Sequence, residues 1–133
     1  MAHLECVACG KTLTRECSWG SAEDYDATSM DRAPAVPVGL MVRLEGADEV
    51  PVYQGEAVIR VHVYSPAEAI ALNPEDLLPD SLVQAGDDNG CCGSDGLDGP
   101  NRACRCGVIL ATEWSDCWTQ SEVRFLPSAV IDR

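Results

Sequence analysis

The run GCCGSDGLDGPNRACRCG, residues 90–107, sets four cysteines among glycine and aspartate, and what those sulfurs do decides how the chain folds. A second cysteine-rich stretch, CVACG at residues 6–10, supplies the comparison. Cys6 and Cys9 have the spacing that lets both sulfurs of one tight turn reach a single tetrahedral ion, and Gly10 lets the backbone turn where a Cβ would clash. Cys104 and Cys106 are two apart, so an extended segment places both sulfurs on one face. Cys106 is followed by glycine, as Cys9 is.

Three chemistries compete for these thiols. Adjacent and alternate cysteines seldom offer the Cα separation and Cβ directions of a disulfide. A CxxC redox centre belongs at a helix start after a parallel strand, and no βαβ pattern surrounds this one. Metal binding remains, and thiolates select zinc or an iron–sulfur cluster over hard cations.

The two cysteine turns ending in CG resemble the paired knuckles of zinc ribbons in small bacterial-type proteins. The resemblance covers residues 1–17 and 90–118, which would then form the metal site around a central β-rich part at 38–85, all within one domain spanning 1–133. It departs from the ribbon pattern in two ways: the second knuckle is CxC, and 94 residues separate the pairs. It implies a zinc held by Cys6, Cys9, Cys104 and Cys106, and it carries no function with it. Cys91, Cys92 and Cys117 are candidates for a second zinc. Neighbouring residues in an extended chain point to opposite sides, so one of Cys91 and Cys92 is expected there with Cys104 and Cys117. Cys17 has no close companion and reads as a small buried hydrophobe.

Composition narrows the setting. With 133 residues the chain suffices for one core, and with aromatics at only 5% that core must rely on aliphatic side chains, so a metal clamp is a welcome addition. The N-terminal MAHLECVACGK has neither the basic start nor the apolar stretch of a signal peptide, and APAVPVGLMV at 33–42 is too short and proline-broken to span a bilayer. A reducing cytoplasm is therefore expected, where an even cysteine count points to metal or thiol chemistry. The formal charge is −13, and residues 65–101 hold eight acids with no Lys or Arg. That field repels nucleic acid and anionic membranes and suits a basic protein partner.

The walk along the chain predicts a β-rich, mainly antiparallel domain with one or two short helices. Residues 2–17 read as two short strands around the CVACG turn, and 18–37 as a long exposed loop. EAVIRVHVY, 56–64, alternates Ala57, Ile59, Val61 and Val63 with Val58, Arg60, His62 and Tyr64, which predicts a half-buried strand. VGLMVRLE, 38–45, is its expected neighbour through a turn at GADEVP. Asn73, Pro74, Glu75 and Asp76 form a helix start that Pro79 cuts short. Residues 86–101 read as an irregular loop, and 107–114 and 122–126 as strands.

Other signals give way to simpler readings. Asp87, Asp88, Asn89, Asp95, Asp98 and Asn101 lack the spacing of a Ca²⁺ loop and suit Asx-turns. His62 reads as a solvated surface residue, while His3 is close enough to Cys6 to be considered as a ligand. Trp114 and Trp118, flanking Cys117, are expected to pack over the cysteine-bearing strands. The function expected is a non-catalytic, zinc-binding interaction or adaptor module with an acidic surface. The alternative is a thiol-based enzyme or redox sensor, for which Cys117 with His62 as base is the one constellation to be assembled.

Overall fold

The computed structural model describes the backbone of all 133 residues and every side chain except those of Val50 and Tyr64. Strands dominate: β1 (Leu4–Cys6), β2 (Ser18–Trp19), β3 (Leu40–Arg43), β4 (Asp48–Gln54), β5 (Ala57–Ser65), β6 (Ile70–Leu72), β7 (Val83–Gln84), β8 (Arg102–Ala103), β9 (Ile109–Trp114), β10 (Glu122–Phe125) and β11 (Val130–Asp132). Helix is limited to two 3₁₀ turns, Ala22–Asp24 and Pro74–Asp76. The second begins as its sequence predicts, with the Asn73 side chain accepting from the Glu75 N–H at 2.9 Å. Among the described residues no helix is long and apolar enough to cross a membrane.

Seven strands form one sheet in the order β2-β3-β6-β10-β9-β8-β7, antiparallel except for β2 beside β3. Period two sorts its side chains onto two faces. Met41, Leu72 and Val123 lie in one cross-strand register, and Ile70 and Phe125 in another; together with Leu4, Leu13, Cys6, Cys17 and Cys104 they make the main core. The intervening row, Val42, Ala71, Arg124 and Thr112, belongs to the opposite face. There Ala35 and Val36 cover Val42 and Ala71. The expectation of an exposed loop over 18–37 is corrected at this point: its far end folds across the sheet because Val42 and Ala71 need apolar cover. β1 and β11 pair separately, joining the first turn to the last strand.

The hairpin corrects the sequence reading more sharply. β5 pairs with β4, not with β3, and residues 48–51 of the expected turn are the start of β4. The chain reverses instead at Gly55–Glu56, where Gly55 has φ +65°, a value suited to the first position of a tight hairpin turn. Val58, Ile59, Val61 and Val63 are each between 49% and 56% exposed, so neither face of β5 is buried between Ala57 and Val63. Alternation shows that the two faces of a strand differ, not that either finds cover, and nothing packs over Ile59, Val61 or Val63 here; the side chain of Tyr64 lies outside the described residues. Since the hairpin stands clear of the core, Ile59→Ser and Val61→Ser are each expected to change unfolding free energy by only about 0.5 kcal/mol, measured by urea denaturation.

Candidate metal centre

β1 alternates buried and half-buried residues, which turns Leu4 and Cys6 to the core side. The chain then reverses at CVACG: Gly10 N–H donates to the Cys6 carbonyl at 2.9 Å, and Cys6 N–H to the Lys11 carbonyl at 2.9 Å. The RCG turn after β8 repeats this arrangement one residue shorter. Gly107 N–H donates to the Cys104 carbonyl at 2.9 Å, and Cys104 N–H to the Val108 carbonyl at 2.8 Å. Gly10 at φ +75° and Gly107 at φ +101° occupy backbone conformations that a Cβ would penalise, which is why a glycine closes each turn.

The two turns meet. Cys6 Sγ lies 3.7 Å from Cys106 Sγ, Cys9 Sγ lies 3.6 Å from Cys104 Sγ, and all four sulfurs fall within 4.8 Å of one another. A tetrahedral ion with metal–sulfur bonds of about 2.3 Å requires sulfurs about 3.8 Å apart, whereas a disulfide would bring two of them to about 2.0 Å. The donor set therefore fits a single soft cation, and all eight cysteines are free thiols. Cys6 and Cys104 are buried and Cys9 and Cys106 exposed, so the cluster straddles the core boundary.

Its electrostatics are uneven. Burial pushes the Cys6 thiol up, but N–H groups of Cys9 and Ala8 aimed at its sulfur outweigh burial and hold it at about 7. Burial carries Cys104 the other way, to about 12, with the neighbouring thiols adding to the rise and the Cys106 N–H opposing it. The surroundings of Cys6 thus favour its thiolate, while those of Cys104 oppose it. His3, weighed as a ligand, is committed elsewhere: its ring nitrogens contact Glu5 at 2.9 Å and Glu16 at 2.7 Å, and these hydrogen bonds raise its pKa. Cys17 is fully buried in the core, where burial pushes its thiol up to about 11.

A second group gathers Cys91, Cys92 and Cys117 with Asp116. Cys91 Sγ stands 3.5 Å from Cys92 Sγ and 3.8 Å from Cys117 Sγ. Two expectations are corrected here. Cys104 belongs to the first cluster and not to this one, and both Cys91 and Cys92 face the same point although they are adjacent. The reason is that the segment is not extended: it is a tight loop wrapped around a carboxylate. Asp116 Oδ1 accepts from the N–H groups of Cys92 at 2.9 Å and Cys117 at 2.8 Å; Oδ2 accepts from Cys91 N–H at 3.2 Å and the Trp118 indole at 3.1 Å. Burial would raise the Asp116 carboxyl, but the N–H groups of Cys117, Cys92 and Cys91 overcome that and hold it at about 2. Hydrogen bonding among the thiols, with Cys92 foremost, raises Cys91 to about 12.

Asp116 is the residue that sequence reasoning missed. The glycines around the double cysteine carried the available signal. A Cβ on Gly90 would fall 1.7 Å from the Gly93 carbonyl oxygen and 2.9 Å from Asp116 Oδ2, and one on Gly93 would meet the Ser115 carbonyl oxygen at 2.5 Å. Gly90→Ala is therefore expected to cost at least about 2 kcal/mol, measured by urea denaturation, and to speed labelling of the three thiols by a sulfhydryl reagent.

The tryptophans separate. Trp114 is buried with Arg124 stacked 4.4 Å from its ring, while Trp118 is half exposed beside the second cluster. Cys117 and His62 do not form the constellation considered from sequence, because Cys117 is turned to the other thiols and His62 stands exposed on the β4–β5 hairpin. The acids of the 86–101 loop are engaged locally: Asp95 accepts from the Leu97 N–H at 3.1 Å, and Asp98 from the Asn89 amide at 2.7 Å. Both cysteine clusters have the donor atoms to hold a metal ion. Comparison of the chain with family models, curated proteins and solved structures found no match.

Proposed function

We propose that this is a small, non-catalytic, zinc-ribbon-like protein of the cytoplasm, in which one zinc at Cys6, Cys9, Cys104 and Cys106 clamps the first turn to the β8–β9 connection. Its acidic surface then receives a basic protein partner. One observation carries the reading: sulfurs separated by 95 and 100 residues in sequence stand at the spacing of a single tetrahedral ion. Zinc suits the set better than an iron–sulfur cluster, whose cysteines project outward from several metal atoms and stand farther apart. Zinc held by four thiolates deepens the formal charge of −13 by two, so the metal does not relieve the field that a cationic partner would meet.

The test is elemental analysis of protein made under reducing, zinc-replete conditions, together with capture of partners from lysate at two salt concentrations. Tightly held zinc is expected in the Cys91→Ser, Cys117→Ser background, along with partners that dissociate as the Debye length falls from about 10 Å at 0.1 M to about 3 Å at 1 M salt. Absence of zinc there would overturn the metal assignment. Micromolar binding of DNA or RNA, or partners indifferent to salt, would overturn the interaction reading. A fast-reacting thiol in the zinc-loaded protein would favour a thiol-based enzyme or sensor instead.

A further inference from the structure

We propose that Cys91, Cys92 and Cys117 form a second metal site of a different kind, an open three-thiolate centre that holds a divalent d¹⁰ cation with its fourth position left to an exchangeable ligand. The three sulfurs are exposed, and the two measured separations, 3.5 and 3.8 Å, suit metal–sulfur bonds of about 2.3 Å. The fourth member of the group decides the character of the site. A carboxylate has about four lone-pair positions, and Asp116 accepts from four N–H donors, those of Cys91, Cys92, Cys117 and Trp118, with the Cys91 Sγ a further 3.5 Å contact on Oδ1. To ligate a metal it would have to release donors that shape the loop carrying the sulfurs. Asp116 therefore positions the ligands and does not complete the shell, so the chain supplies three ligands where a closed structural site supplies four.

The exposure of Cys91, Cys92 and Cys117 leaves the fourth position open to an outside ligand from solvent. The first cluster differs in each respect, with four sulfurs and two of them buried in the core. One chain then carries a closed clamp and an open centre.

The experiment adds Co²⁺, as a coloured probe for the d¹⁰ ion, to reduced full-length protein already holding one zinc, and follows the visible d–d bands. A second equivalent of metal is expected to bind with the intensity of a four-coordinate thiolate site, and added imidazole should shift its bands by entering the fourth position. Cys117→Ser should weaken this second equivalent at least tenfold while the first zinc stays bound and the melting temperature stays within a few degrees. Three results would each overturn the proposal: no second equivalent, bands that imidazole leaves unmoved, or unweakened binding in Cys117→Ser. Cys92→Ser provides a second variant should Cys117→Ser fail to fold, with the same tenfold weakening expected.

Discussion

Cys9→Ser and Cys106→Ser are each expected to lower unfolding free energy by more than about 3 kcal/mol, because binding that occurs only in the folded chain is folding free energy. At roughly 4 °C per kcal/mol for a chain of this size, the melting temperature should drop by about 12 °C or more. Cys17→Ser supplies the contrast. Cys17 is as deeply buried as Cys6, yet it belongs to neither sulfur cluster, and its Sγ donates to the Arg15 carbonyl at 3.5 Å. Its replacement should cost about 1 kcal/mol, the usual expense of a hydroxyl in an apolar place. Thermal melts of the three variants, with and without a strong chelator, check both parts: chelation should bring wild type down to the ligand variants and leave the order of those variants unchanged. Equal melting temperatures for Cys9→Ser and wild type would remove the clamp.

The second large effect is expected at Glu122, on the face of the sheet away from the main core. Glu122 is wholly buried and accepts from Arg124 Nε at 2.5 Å, from the Tyr25 hydroxyl at 2.7 Å and from the Gln120 amide at 2.9 Å. Arg124 is itself buried, bonded also to Tyr25 and Asp48 and stacked on Trp114. Removing one partner strands the other, so Glu122→Ala should cost about 3–5 kcal/mol. The double variant Glu122→Leu, Arg124→Met should recover part of that loss, since the one carboxylate left without its partner is then Asp48, which is exposed enough for water to solvate it. Urea denaturation of single and double variants measures the difference. A Glu122→Ala protein as stable as wild type would show that water reaches this group and screens it.

The parts of the fold that sequence disclosed are those whose signal is local. Asn73 followed by Pro74 caps a turn in any surroundings, and the CG pairs impose their own backbone angles, so both knuckles were legible. Their meeting was inferred from chemistry, since nothing within nearest neighbours reveals that Cys9 and Cys104 lie side by side. The hairpin was misjudged for the converse reason. Alternation between Ile59 and Arg60 describes a strand with two unlike faces, but only the remainder of the chain decides whether either face finds cover. The second cluster was half legible: the sulfurs were named, while their grouping depends on Asp116 drawing in N–H groups from a segment more than twenty residues away. A carboxylate acting through hydrogen bonds leaves no spacing pattern to read.

The clamp between Cys6 and Cys106 also bears on the order of events at the ribosome. Synthesis proceeds at about 5–20 residues per second, so a nascent chain displays CVACG for roughly 5–20 seconds before its partner turn is made. During that interval the two early thiols are an incomplete site, open to oxidation or to a wrongly captured ion. β1 shares the delay, because its strand partner β11 is Val130–Asp132, later in the chain than the second cysteine turn. The CVACG turn is therefore made well before it can be secured, and premature truncation anywhere before residue 104 would release a polypeptide with a permanently unmet pair of sulfurs.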